Sequence, residues 1–380
     1  MFFYIGKNCP LQSLTQVNDN LYLDDGWQMD NAINCYFKGY STECNIKNSL
    51  NAIIYDNYRP RGKWAVIHNN SLYHSILRGF PLYVYDGNLT NLKLSNYDTI
   101  VNTVNLSVSS KHITLEEATS QIQTILTENI SGFLKYNNQP HINVLVSAGL
   151  DTLTSWTILD SLTSNYTLDI YIPKKNEPSR NSWLNVFEEY QSDLIDFVRK
   201  THWGYEITKI KKETNWYITG FYAELMQLRT MRCVQGLAKF LNKSPNDLIN
   251  IGDYVHLFLQ RPTSKNFGDI PNFNNEQEFK VWCYQALTGD FQMWHLGNNY
   301  HFSPFYDERI AQVSSCLSLD DMLLNMREGY VQRQILINIK PEMLTLLSDY
   351  KNHGDVFKNF TDNWELVKST LSPNIKIDLR

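Results

Sequence analysis

No apolar run in this 380-residue chain reaches membrane-spanning length before a charge interrupts it, and the start MFFYIGKNCPLQ is too short an apolar stretch for a signal peptide. A cytoplasmic protein is expected, with no membrane partner. Basic blocks are missing as well: 34 Lys and Arg against 39 Asp and Glu leave a net charge of −5, so no stretch is built to track a phosphate backbone and nucleic acid is not an expected partner. The six cysteines (Cys9, Cys35, Cys44, Cys233, Cys283 and Cys316) form no C-x-x-C pair and no histidines cluster at zinc spacing, which points to reduced structural thiols. Repeats of solenoid or propeller period are absent. What is there is a 43% hydrophobic share, enough for a sizeable core, in a length suited to one large domain or two ordinary ones.

Residues 1 to about 95 carry short apolar alternations broken by turn residues: NCYFKGYS (34–41), KWAVIH (63–68), SLYHSILRG (71–79) and PLYVYDGNLTNLKL (81–94). These predict antiparallel strands and hairpins, with Asp86-Gly87 as a turn. A Ser/Thr/Asn-rich connector (95–113) follows. Leu115 to Leu134 has helical spacing, and Thr114 with Glu117 three residues on makes the capping-box arrangement.

The character then changes. INVLVSAGLD (142–151) predicts a buried strand ending in a small-residue turn, and TLTSWTILDSL (152–162) a helix. LDIYIP (168–173) predicts a second strand, Trp183 to Lys200 a helix, and GYEITKI (204–210) a third strand, so an α/β unit with a parallel sheet is expected. The stretch from about 215 to 350 reads as mostly helical, with DLINIGD (247–253) as a further strand-like segment.

Ser147-Ala148-Gly149-Leu150-Asp151-Thr152 falls where a parallel strand hands over to a helix, the place where open α/β sheets bind ligands. Small residues let backbone amides approach an anion, and a helix N-terminus adds partial positive charge. The hydroxyls of Ser147 and Thr152 suit phosphate oxygens; Asp151 suits Mg²⁺ held against them. The bland alternative is an ordinary strand-to-helix turn. No Gly-Lys-Ser/Thr follows, which excludes a Walker loop, and Leu145 stands where a G-x-S-x-G nucleophile elbow needs glycine.

The loop is similar to the S-G-G-x-D-S loop of ATP pyrophosphatases, with Ala148 and Thr152 as replacements. HFSPFYDERIAQVSSCLS (301–318) is similar to a V-P-F-L-D-x-R-L-V-E-F stretch, and YVQRQILINIKPEMLTLLSDYKNHGD (330–355) resembles a Y-x-L-R-x-A-L-x-x-x-L-P-x-x-I segment followed by a Lys-bearing loop. RGKWAVIHNNSLYHSILRGFPLYVYDG (61–87) resembles an N-terminal-domain hairpin on which Arg78, Pro81, Leu82 and Tyr83 fall, and LRTMRCVQGLAKFL (228–241) the helix after the substrate region. Taken in order, the chain resembles asparagine synthetase and its relative β-lactam synthetase over most of its length.

That resemblance implies a degenerate glutamine amidotransferase-like domain over 1–110, an N-terminal-nucleophile (Ntn)-like antiparallel αββα sandwich. It implies an ATP-pyrophosphatase domain of the adenine nucleotide α-hydrolase kind over 111–380, with a helical C-terminal part. It implies a ligase that adenylates a small-molecule carboxylate, releases pyrophosphate and passes the acyl group to ammonia or another amine, using ATP and Mg²⁺. Asparagine formation is the default substrate, an altered amine a close variant, and a homodimer the state the resemblance suggests. Ser147 to Thr152, Gly252 and Asp253 would bind nucleotide, Asp151 the metal. Lys351 would stabilise charge on the α-phosphate and the tetrahedral intermediate.

Two departures qualify this. Phe2 stands where glutamine-using members expose cysteine, so no glutaminase activity is expected; Cys9 and Cys35 are poor substitutes, since the mechanism needs an α-amino group beside the thiol. In INIGDYVHLFLQR (249–261), Gly252 and Asp253 match the family's S-G-D-G-x-D-E-L-F, but His256 and Leu257 replace its second acidic pair. The rival reading is therefore a catalytically degenerate binding or scaffold protein. Asp307 and Arg309 are expected to pair or cap where their segment turns into a helix. Arg229 and Arg232 face either a carboxylate substrate or solvent, and His256, His295, His301 and His353 read as satisfied polar histidines.

Overall fold

The architecture comes from a computed structural model of the chain, which describes residues 3–5, 15–23, 26–69, 71–75, 83–84, 93–94, 111–146, 149–170, 187–189, 208–210, 216–218, 220, 223–227, 231–248, 270–290, 301–347, 356–372 and 375–379. It is a mixed α/β protein with antiparallel sheets in its first part and a parallel sheet with helices in its second.

Strands β1 (Phe3–Ile5), β2 (Thr15–Asn18) and β3 (Leu21–Leu23) form a three-stranded antiparallel sheet in the order β1-β3-β2. Strands β4 (Gln28–Asp30), β5 (Cys35–Ser41), β6 (Gly62–His68) and β7 (Ser71–His74) form a four-stranded meander, with helix α1 (Leu50–Tyr55) between β5 and β6. Strands alternate their side chains between two faces. Cys35, Phe37, Trp64 and Val66 accordingly point to α1 and its Leu50 and Ile53, while Ala65 and Ile67 pack with Leu21 and Leu23. Both faces are covered, so lysines in these strands are buried too: Lys38 and Lys63 are each 4% exposed. The α1 helix was not expected from the sequence. Strands β8 (Tyr83–Val84) and β9 (Lys93–Leu94) pair antiparallel as anticipated; the Asp86-Gly87 turn lies outside the described residues.

Helix α2 (Leu115–Tyr136) starts as predicted: Thr114 Oγ1 accepts from Glu117 N at 3.1 Å and Glu117 Oε2 accepts from Thr114 N at 2.9 Å. Its stripe of Ala118, Ile122, Ile125, Ile130 and Phe133 enters the main core. The second sheet then builds from β10 (Ile142–Leu145), helix α3 (Leu150–Leu162) and β11 (Tyr166–Ile170). Strands β12 (Phe187–Glu189) and β13 (Thr208–Ile210) pair antiparallel with each other, which corrects two expectations. Residues 187–189 are extended where the spacing predicts a helix, and of GYEITKI the described Thr208–Ile210 pairs with them and not with the parallel sheet. The third sheet neighbour is instead β14 (Trp216–Ile218), too short to leave a period in the sequence.

Helices α4 (Glu224–Gln227), α5 (Met231–Phe240), α6 (Pro245–Leu248) and α7 (Glu276–Asp290) follow. Asp247 and Leu248 thus lie in a helical turn, not a strand; 249–253 are outside the described residues. The edge strand β15 (His301–Phe302) leads into α8 (Glu308–Ser315), α9 (Leu319–Glu328) and α10 (Tyr330–Ile339), and α11 (Val356–Thr370) into the opposite edge strand β16 (Lys376–Leu379). The finished sheet has five parallel strands in the order β15-β14-β10-β11-β16. Helix α10 packs against both α2 and α3. Among the described residues no helix is long and apolar enough to cross a membrane.

The antiparallel sheets pack around two small cores of their own, and Tyr40 carries one of their side chains into the core of the second part. Tyr40 of β5 is 2% exposed and sits edge-on to Phe133, Trp216 and Phe302 at 5.4, 5.7 and 5.3 Å between ring centroids. Its hydroxyl donates to Ser303 O and accepts from Ser303 N, both at 3.4 Å. Nearby, Arg61 pairs with Glu43 at 2.7 Å and reaches Asp307 at 3.6 Å.

Candidate functional site

Strand β10 is the first strand of the parallel sheet in sequence and lies inside it. From β10 the chain continues to β11 on one side; from its neighbour β14 it continues to β15 on the other. Where outgoing connections diverge, a crevice opens at the carboxyl ends of the strands. Gly149 to Thr152, the described part of the predicted loop, follow β10 there.

The ladder persists to the loop's edge, with Val146 N donating to Asp169 O of β11 at 3.1 Å. Ser147 and Ala148 lie outside the described residues. Gly149, in extended conformation, precedes the first turn of α3, and its carbonyl accepts from Leu153 N at 3.0 Å. The first amides of a helix have no acceptor inside the helix and carry the positive end of its dipole. Leu150, Asp151 and Thr152 form that first turn. Leu150 is buried and holds the helix down, Thr152 is 8% exposed, and Asp151 is half-buried at the crevice.

Asp151 is held from two sides. Gln332 of α10 donates from Nε2 to Asp151 Oδ1, and Gln332 Oε1 accepts from Gln227 Nε2 of α4. Both glutamines are buried, at 0% and 1% exposure. Gly220, just past β14, presses on the other side: a Cβ there would lie 2.3 Å from Asp151 Cβ and 2.8 Å from Thr152 N. Gly329 closes the arrangement. It turns α9 into α10 with φ +60°, a left-handed conformation natural to glycine, and a Cβ there would meet Leu150 Cδ1 at 2.6 Å.

The structure therefore gathers Gly149, Leu150, Asp151 and Thr152 at the crevice. Gly252, Asp253, Lys351, Arg229, His256, His295 and His353 lie outside the described residues, and Arg232 is placed by its backbone alone. Asp307 and Arg309 do what the sequence suggested. Asp307 caps α8, accepting from Arg309 N at 2.9 Å, and pairs with the Arg309 guanidinium, which also binds Glu128 at 2.7 Å. His301 is buried in β15; burial, then the nearby Lys63, holds it well below ordinary histidine protonation, so it is uncharged. Cys35 is a free thiol pushed up to about 11 by burial and then by Asp30, far from the thiolate a nucleophile needs.

Sequence reasoning missed Gln332, Gln227 and Gly220. Two glutamines on separate helices look like surface residues in a sequence, and a lone glycine after an unrecognised strand carries no signal.

No protein-family model matches the chain. Over 203 residues it is 22% identical to TRPM8 channel-associated factor 2 of Mus musculus, a match covering 53% of this chain and 20% of the mouse protein. The chain thus spans about a fifth of that relative's length.

Proposed function

We propose that this chain is an asparagine-synthetase-like ATP-dependent ligase that activates a carboxylate and joins it to an amine without a glutaminase activity of its own. The observation that carries the reading is Asp151: a carboxylate in the first turn of the helix leaving the switch-point strand, oriented by a buried glutamine. In this reading the antiparallel sheets are a degenerate Ntn-like sandwich and the parallel sheet an ATP-pyrophosphatase fold.

The residues present suit a nucleotide with magnesium. Mg²⁺ is commonly held by one or two carboxylates with phosphate oxygens and water completing its shell. Asp151 offers a single fixed hard oxygen donor, and among the described residues no group of three His, Cys, Asp or Glu is placed to hold a metal by itself. When bound, Mg²⁺ neutralises charge on the departing pyrophosphate. The chain's own work is positioning. The α3 first turn takes phosphate oxygens on its amides and the Thr152 hydroxyl, and Gln332 fixes Asp151 against them. A carboxylate oxygen bonds to the α-phosphorus as the bond to the pyrophosphate oxygen breaks; the amine then attacks the acyl carbon, AMP leaves, and the nitrogen gives up a proton. Lys351, Gly252 and Asp253 join the site through the family resemblance. Phe2 in place of the family's cysteine, together with the protonated Cys35 thiol, supports the absence of glutamine hydrolysis.

The test is pyrophosphate release from Mg-ATP across panels of carboxylates and amines. Substrate-dependent release should fall by about 100-fold or more in Asp151→Ala and Lys351→Ala, and at least about tenfold in Gln332→Leu, which keeps the carboxylate but frees it to turn. A silent panel together with no calorimetric ATP binding would overturn the ligase and leave a binding or scaffold protein.

A further inference from the structure

The two glutamines behind Asp151 have a direction. A carboxylate only accepts hydrogen bonds, so the Gln332 amide must turn its Nε2 to Asp151 and its Oε1 away. That Oε1 needs a donor, which is Gln227 Nε2. Gln227 is thereby forced to present its own Oε1 at the end of the relay. Among the described residues this oxygen is buried with no hydrogen-bond partner, while the rest of the amide chain is satisfied. Flipping Gln227 would not help, because two carbonyl oxygens would then face each other.

A buried amide carbonyl left unpaired costs about 1–3 kcal/mol, and most buried polar groups in folded proteins are paired. Here the orphan is carried by Gln227, the last residue of α4, a helix that begins four residues after the Gly220 that presses on Asp151.

We infer that Gln227 is a specificity residue whose Oε1 accepts a hydrogen bond from an N–H of a bound substrate. An acceptor at this place repels phosphate and carboxylate oxygens and selects a nitrogen donor. The inference rests on the ligase reading, and two partners in that reaction carry such a group: the exocyclic amine of the adenine ring and the incoming amine. Asp151 therefore acts at both ends of the relay. It serves the phosphates directly and, through two amides, sets the polarity of a subsite it does not touch.

The experiment compares wild type with Gln227→Met in two arms. In the first, calorimetry measures ATP against inosine triphosphate, which carries a carbonyl where adenine carries its amine. In the second, the KM for hydroxylamine as acceptor is read beside the KM for ATP. If adenine is the donor, wild type prefers ATP by at least about tenfold and the variant loses the preference. If the amine is the donor, the nucleotide preference is equal in both proteins while the hydroxylamine KM rises at least about tenfold in the variant, with the ATP KM unmoved. A purely structural role moves neither ratio, and unchanged ratios in an active variant would overturn the inference alone. Wild-type protein that neither binds ATP nor releases pyrophosphate overturns the ligase reading and this inference with it. Should Gln227→Met not melt cooperatively, Gln227→Asn, which keeps the amide but withdraws it by one methylene, is scored on the same two ratios.

Discussion

Lys340 Nζ donates to Asp160 Oδ2 across 180 residues of sequence, tying the end of α10 to the end of α3. The same carboxylate accepts from Tyr166 OH at 2.5 Å and from Ser372 N at 3.0 Å, and Lys340 also donates to Thr370 O at 2.6 Å. Burial pushes the Asp160 carboxyl up, but the hydrogen bonds from Lys340, Tyr166 and Ser372 and the Lys340 charge outweigh it and hold it below the usual range. Removing the acceptor leaves a half-buried ammonium without its counter-charge and a buried phenol without an acceptor, so Asp160→Ala should cost about 3–5 kcal/mol in urea unfolding. Lys340→Met should cost less, because the carboxylate keeps its other donors. A folded-state value below the ordinary 3.8 means the contribution is complete above that pH and drains away as pH falls further.

Gly220→Ala should be more harmful than its single methyl suggests. The added Cβ lands 2.3 Å from Asp151 Cβ and 2.7 Å from Asp151 C, so backbone must move. A loss of about 1–3 kcal/mol in thermal or urea unfolding is expected, together with a disproportionate loss of substrate-dependent pyrophosphate release.

Lys63→Met should stabilise the protein at neutral pH. Lys63 Nζ is buried without a hydrogen-bond acceptor among the described residues, and burial, then Lys38, pushes its ammonium down from 10.5 to about 8. Between those values the unfolded chain binds the proton that the folded one has released, so wild-type stability climbs with pH. Melting temperatures of the two proteins should therefore differ most below pH 8 and converge toward pH 10.5.

Glu308→Gln should show the opposite profile. Burial, then the neighbouring Asp307 carboxylate, pushes Glu308 up from 4.5 to about 7. The folded state holds a proton that the unfolded chain gives up, so wild-type stability falls as pH rises through that window. The variant should match wild type near pH 4.5 and melt higher at pH 8.

The sequence announced elements whose signals are local. Thr114 and Glu117 marked the start of α2 because a capping box lies within four residues, and the run 142–151 marked β10 and its loop because a buried strand and a small-residue turn are contiguous. Strands β14, β15 and β16 were invisible: two to four residues cannot display a period, and their identity comes from the sheet they join. Thr208–Ile210 was correctly extended but wrongly partnered, since alternation specifies a strand and not its neighbour. Asp151 was legible as the loop's one acid. Gln332 and Gln227 were not, because their meaning lies in contacts across 181 and 105 residues.

Tyr40 bears on inheritance. A chain cut after residue 110 would carry this ring away with its leading piece and leave Phe133, Trp216 and Phe302 around an open socket. Side chains elsewhere on the leading sheets can change at little cost, but the sheets themselves cannot be discarded, because part of the wall of the other part's interior is one of their tyrosines. Surface detail at the front of such a chain is expendable in a way that its carpentry is not.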